Sequence, residues 1–319
     1  MSINLGEKMK IARKTNDSGS VEVNNYKQPW QVRFRPYLIM APAMIITIGI
    51  MYPFITAIYY SFTNFKFGSR AYEFIWFNNW ISMFTNASFW KAFWVTARYA
   101  ILSTGLEMLL GMGIAILLSK SNRYTNALRI LLVFPLMVAP VMATLIWQLM
   151  LNNSVGIIEK FLNVFGIFNF PWASSPQTAM MTAVMIDIWV NAPFVILLIF
   201  AGMQSLPKSP FEAAKIDGGS TWFTFKNLTL PMLKPFIYTA LIFRLMAAIM
   251  EFSIPFALTK GGPGNTLMNL SITAYNTGFA YKNLGKAMPY VLIMWIIINL
   301  ISKRLVKGWQ SAQKTAAGR

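Results

Sequence analysis

Six stretches of the chain, at residues 38–62, 92–119, 130–151, 178–204, 235–258 and 287–302, are apolar enough and long enough to cross a bilayer, which takes about 20 apolar residues per helix. No other feature narrows the possible folds as much. In hydrocarbon every backbone N–H and C=O must be satisfied inside its own element, so such stretches are helices. Their apolar residues surround the helix and do not form a single stripe, which excludes the surface helices of a soluble domain. The sixth stretch is short, but Lys286 and Lys303 at its ends can snorkel to the interfaces. The sequence therefore predicts an all-α integral membrane protein with six transmembrane helices.

The formal net charge of +18 invites a nucleic-acid partner, and position argues against one. With the N-terminus inside, the four inner segments carry seven, three, four and five of the 28 Lys and Arg residues, against six in the three outer loops. That asymmetry is what the positive-inside rule produces for six spans with both termini cytoplasmic. The excess charge thus reports topology. The organisation read from it is a cytoplasmic N-terminal tail at 1–35, a membrane domain at 36–309 with a cytoplasmic loop at 205–234, and a polar cytoplasmic tail at 310–319. The N-terminal tail lacks the apolar core of a secretory signal. The outer loops are aromatic, notably from Tyr72 to Trp94 and from Phe161 to Trp172, as an interfacial belt requires; stacking on a sugar ring is the alternative use.

Chemistry inside the spans is sparse. The chain has no Cys and no His, which removes zinc sites of that type, thiol nucleophiles and every Ser-His-Asp arrangement. Five charges fall in the spans: Arg98, Glu107, Asp187, Arg244 and Glu251. Such residues are costly there and mark either function or contacts inside the bundle. Arg244 and Glu251 lie seven apart, on about the same helical face, so they are expected to line one cavity. Glu107, Asp187 and Glu251 are dispersed along the chain and suggest no catalytic cluster. Gly285-Lys286 lacks the flanking residues of a phosphate loop, and Gly261-Gly262-Pro263-Gly264 has no strand before it. No metal site or bound cofactor is expected, and any ATP and Mg belong to another chain.

The loop from Ser209 to Pro231 is the most informative segment. It reads as two short helices, with Ser209 as N-cap, Pro210 in the first position and Glu212 completing a capping box. Gly218-Gly219 ends the first helix, because glycine takes the left-handed conformation at no steric cost. Ser220 or Thr221 caps the second, in which Trp222, Phe225 and Leu228 recur every three residues, and Pro231 closes it.

Glu212-Ala213-Ala214, three residues, Gly218, nine residues and Leu228-Thr229-Leu230-Pro231 resemble the EAA loop of ABC importer permeases. Asp217 before Gly218, and the Thr-Leu-Pro ending, resemble the carbohydrate permeases of the maltose and glycerol-phosphate type. The family usually has Ile where Leu228 stands. Arg35-Pro36-Tyr37, Ser61-Phe62-Thr63, Phe89-Trp90 and Leu258-Thr259-Lys260-Gly261-Gly262-Pro263-Gly264 agree with that family over about residues 30–310. The resemblance implies the type I importer permease fold, a chain that is not itself an enzyme, and a bacterial inner-membrane location. It implies four kinds of partner: a second permease subunit, two ABC ATPase subunits, an extracytoplasmic solute-binding protein and membrane lipid. It assigns ATPase coupling to Glu212, Ala213, Ala214, Asp217, Gly218 and Pro231. A carbohydrate substrate, expected to be an oligosaccharide, would meet Trp189, Asn191, Arg244 and Glu251 in spans four and five. A six-span secondary transporter or channel would instead show an ion-coupling constellation or an internal repeat, and neither is evident. The topology has a direct test: reporter fusions at Ser220 and Gln310 score cytoplasmic, and external signals at either would overturn the charge argument.

Overall fold

The computed structural model describes residues 30–119 and 123–316. The expected N-terminal tail therefore lies outside the described residues apart from its last six. Thirteen α-helices occupy the described residues. The first half runs α1 Trp30–Ser61, α2 Asn78–Thr85, α3 Ala87–Leu117, α4 Arg123–Leu136, α5 Pro140–Met150 and α6 Ile157–Val164. The second runs α7 Pro176–Gln204, α8 Ser209–Ile216, α9 Thr221–Thr224, α10 Leu230–Met250, α11 Ser253–Thr259, α12 Leu270–Tyr275 and α13 Leu284–Ala316. Two five-residue π turns, Phe225–Thr229 and Asn276–Ala280, join α9 to α10 and extend α12. β structure among the described residues is one isolated bridge, Thr63 with Phe74. The chain divides into two units, at 1–55 and 56–319; the first contains most of α1, a helix that runs through Pro36, Pro42 and Pro53.

Among the described residues, five helices, or six if a bent pair counts as one span, are long and apolar enough to cross a membrane. The bent pair corrects the third expected span. α4 and α5 meet at 101°, and the physical reason is proline. Pro140 opens α5, the residue before a proline disfavours helical backbone, and Ala139 is accordingly extended at ψ 135°. The fifth expected span is also interrupted. Glu251 takes ψ 125°, so α10 stops and α11 begins two residues later. The sixth span is longer than expected, since α13 continues to Ala316 through residues read as a tail.

The second unit is built around α7, which packs against α3, α4 and α10, while α13 packs against α10. Glycine permits the closest approaches. A Cβ on Gly111 of α3 would sit 2.6 Å from Val195 Cγ1 of α7, and one on Gly202 would sit 2.6 Å from the Phe236 ring. Around these contacts Ala115, Val195, Ile196, Ile199, Leu233 and Ala240 form one buried cluster. A second includes Tyr99, Ala143, Ala183, Ile186, Ile254 and Leu267. At the C-terminal end of α3, the side chain of Arg129 donates to the Leu118 carbonyl at 2.5 Å and lies 4.0 Å from the Phe200 ring centre. This closes that end of α3 against α4 and α7.

A close backbone contact helps dock the start of α13. Gly285 N–H donates to Phe65 O at 2.9 Å, and a Cβ there would fall 2.2 Å from Thr63 O. Gly285→Ala should therefore cost on the order of 1–3 kcal/mol through overpacking. Gly105, which has nothing within 4 Å of a built Cβ, is the control, because Gly→Ala in a helix interior gains roughly 1 kcal/mol. Thermal unfolding of the purified protein in detergent checks both, with a lower Tm for the first and an unchanged or higher Tm for the second.

Candidate functional site

Helix α8 begins without a side-chain cap: Lys208 is its N-cap residue, and Phe211 and Glu212 N–H donate to the Lys208 carbonyl, each at 3.0 Å. The expected capping box from Ser209 to Glu212 is absent. Lys208 already takes helical backbone, which places Ser209 inside the helix, where its hydroxyl faces no free N–H of the next turn. The far end is as the glycines dictate. Gly218 has φ +72°, its N–H donates to Lys215 O at 3.3 Å, and Gly219 N–H donates to Ala214 O at 2.8 Å. This crossed pair of bonds is a Schellman cap, and it needs glycine at the left-handed position. One face of α8 turns inward through half-buried Pro210 and Phe211 and buried Ala214. The other exposes Glu212, Ala213, Ile216 and Asp217. Ile216 is 86% exposed, an unusual place for an isoleucine with water as its only neighbour.

Ser220 Oγ then accepts the Phe223 N–H at 3.1 Å and caps α9, as expected. Pro231 does not close the second helix. It lies at the start of α10, inside a helical run that is unbroken from Thr221 to Met250. Proline has no N–H for the carbonyl four residues back, and its ring crowds that carbonyl. The π turn resolves the conflict by widening the helix, with Leu230 N–H reaching Phe225 O five residues back.

The spans hold a second constellation. Arg244 of α10 donates from Nε to Glu107 Oε2 at 2.5 Å and from Nη2 to Glu107 Oε1 at 2.8 Å. Its Nη2 also faces Asp187 Oδ2 at 3.3 Å. Asn191, one turn along α7, donates from Nδ2 to Asp187 Oδ1 at 2.7 Å. Glu107, Asp187 and Arg244 are all buried. Carboxylates that look dispersed in the sequence therefore converge on one guanidinium and tie α3, α7 and α10 together. Glu251, expected to line one cavity with Arg244, is not among the carboxylates that grip the guanidinium. Its carboxylate accepts the Ile254 N–H at 3.0 Å, and its carbonyl accepts from Asn269 Nδ2 at 2.6 Å. Trp189 is half-buried and packs edge to face on Trp147 at 5.9 Å.

Sequence reasoning missed the partnership of Glu107, although a signal was present. Thr96, Tyr99, Ser103, Glu107 and Gly111 recur every three or four residues along α3, and all are buried. The hydroxyls of Tyr99, Ser103 and Thr104 have no hydrogen-bond partner among the described residues. A polar stripe on an otherwise apolar helix marks the side that faces the bundle.

Removing one member of a buried ion pair leaves an uncompensated charge and costs about 3–5 kcal/mol. Arg244→Ala strands two carboxylates and should lose that much, while Glu107→Gln keeps a hydrogen-bonding group opposite the guanidinium and should lose less. Arg244→Lys should not restore wild-type stability, because an ammonium cannot offer the fork that grips both Glu107 oxygens. Thermal unfolding in detergent of the three variants gives the order.

Comparison with known proteins places these features. Residues 107–308 match the family described as binding-protein-dependent transport system inner membrane component. The trehalose/maltose transport system permease protein MalF of Thermococcus litoralis is 35% identical over 66% of this chain and 70% of its own length. The sulfoquinovosyl glycerol transport system permease protein SmoG of Agrobacterium fabrum is 31% identical over 83% and 87%. Among solved structures, a chain of a bacterial ABC transporter that imports the acidic polysaccharide alginate superposes with a TM-score of 0.76 at 18% identity, covering 89% of this chain and 98% of that one. The fold is that of the importer permeases, and the chain is a multi-pass membrane protein that belongs to the family of binding-protein-dependent transport system inner membrane components.

Proposed function

We propose that the chain is one permease subunit of an ATP-driven importer that takes a carbohydrate from an extracytoplasmic binding protein and releases it into the cytoplasm. One observation supports this most directly. Helix α8 holds a face of Glu212, Ala213, Ile216 and Asp217 in the open while the opposite face is anchored through Ala214. Such a helix is built to enter a cleft on another protein, and an ABC ATPase subunit is the partner with that cleft. Glu212 makes the polar contact and Ile216 buries its side chain on docking. Gly218 supplies the turn that lets α8 stand off from α9. Pro231, through the π turn, keeps the second helix continuous with α10. When two ATPase subunits close on ATP and Mg, the docked helices of this chain and of a second permease subunit draw together. The spans then swing from inward-facing to outward-facing, and hydrolysis resets them.

A carbohydrate is supported by the relatives, one named for trehalose and maltose and another for sulfoquinovosyl glycerol. Sugar rings need apolar faces alongside donors and acceptors. Trp189 and Asn191, both on α7, are half-buried and offer an aromatic face and an amide. Glu251 adds a helix break of the kind on which transporter sites are built. Arg244 is buried and contributes through Asp187, by fixing the carboxylate that orients Asn191. Both termini and the 205–234 loop face the cytoplasm in this reading.

The test is a reconstituted complex in proteoliposomes. Wild type takes up a labelled sugar in an ATP-dependent, binding-protein-dependent manner. Gly218→Val and Glu212→Lys insert normally yet lose most uptake, with ATPase activity no longer stimulated by the loaded binding protein. Normal stimulation and uptake in both variants would remove the coupling role. Entry of amino acids or peptides in place of sugars would overturn the substrate class.

A further inference from the structure

We propose that a cavity at the outer ends of the spans, apart from both the ion cluster and α8, is an entry subsite for a sugar carrying an anionic group, a uronate, sulfonate or phosphate ester. The proposal rests on the carbohydrate reading above and adds the charge of the substrate. The cavity encloses about 310 Å³ between the first turns of α3, the strap from α11 to α12, and the π turn beyond α12. Its volume is at the small end of the range for ligand sites, about 300–1,000 Å³.

Lys91 is the one charged residue on its wall, and no carboxylate lines it. The amides of Asn86, Asn265 and Asn276 and the rings of Tyr281 and Tyr290 share the wall. Several nearby polar groups are already committed: Asn86 Oδ1 accepts the Ser88 N–H at 2.8 Å, and the Thr273 and Thr277 hydroxyls donate to carbonyls one turn back. Asn276 Nδ2 rests on Met268 Sδ at 3.7 Å, a weak acceptor. What remains for a ligand is a cation, amide donors and acceptors, and two aromatic faces. That set matches the needs of an acidic sugar, whose hydroxyls want both kinds of hydrogen bond while its anion wants an unpaired cation. A neutral sugar would leave Lys91 without a partner.

Part of the wall is irregular backbone. Asn265 is left-handed, at φ 65°, and Asn276–Ala280 is a π turn. Strained conformations and π turns gather at ligand sites. The strap begins with the Leu258–Gly264 motif of the sequence, which the coupling mechanism leaves without a role, and reaches the wall through Asn265 and Met268. An anionic lipid headgroup shares the chemistry of the anion, and the experiment separates the two.

The full complex, without its binding protein, is placed in nanodiscs of phosphatidylcholine. Binding of trigalacturonate and of glycerol 3-phosphate is compared with that of maltotriose at low ionic strength. At least one anionic ligand should bind roughly 10-fold more tightly than maltotriose. Lys91→Gln should abolish that preference and Lys91→Arg should keep it. Repeating the titration in discs containing phosphatidylglycerol should leave the preference in place. No preference for either anionic ligand, a preference indifferent to Lys91→Gln, or one erased by phosphatidylglycerol would overturn the subsite. Failure of all sugar uptake in proteoliposomes is a different result and would count against the carbohydrate reading instead.

Discussion

Arg244 is the fastener on which the second unit depends. Its guanidinium grips both oxygens of Glu107 on α3 and reaches Asp187 on α7, while its own helix, α10, follows the π turn at one end and meets the break at Glu251 at the other. Apolar packing alone discriminates poorly between rotations of one helix about its axis when lipid tails are as apolar as leucine. An ion pair buried among three helices sets rotation as well as proximity. Glycines then let the helices close up: Gly111 admits Val195, and Gly202 admits Phe236. The cluster is thus the register mark of the bundle, and Asn191 inherits its orientation from it.

How much of this can be read in the amino-acid order follows from the range of each interaction. Hydropathy is local, so the apolar stretches were legible, as was the end of α8, where two glycines four and five residues past Ala214 form a cap within six residues. The loss of α8's expected side-chain cap is local too, but it turns on whether Lys208 is helical, and no pattern in the sequence fixes that. The bend between α4 and α5 had a visible agent in Pro140. The break at Glu251 had a weaker one, because its stabilising partner, Asn269, lies 18 residues away. The ion cluster was the least legible. Its partners stand 137 and 57 residues apart, and only a polar stripe on α3 hinted that Glu107 faces inward.

The prolines illustrate the same point in another way. Pro231 reads as a stop and the chain treats it as a passage. Whether a proline ends a helix or widens it depends on what the flanking segment gains by continuing. Here the run into α10 buries Leu233 and Ala240 against α7, and one π turn is the smaller cost. Pro140 meets no such incentive, and there the backbone turns through 101°.

That continuity gives the chain a property its separate parts do not have. From Thr221 to Met250 the helical run spans roughly 45 Å at 1.5 Å per residue, with one compliant point at the π turn and a hinge just past its far end at Glu251. In the proposed coupling, a push on α8 would enter this rod near one tip and emerge at the other as displacement, since a helix is stiff along its axis. Arg244 sits close to the far tip. Lengthening the rod by about one turn, with four residues inserted before the π turn, would rotate the faces by only about 40° yet change the stroke. On that reading the throw of the transporter would be encoded in a residue count.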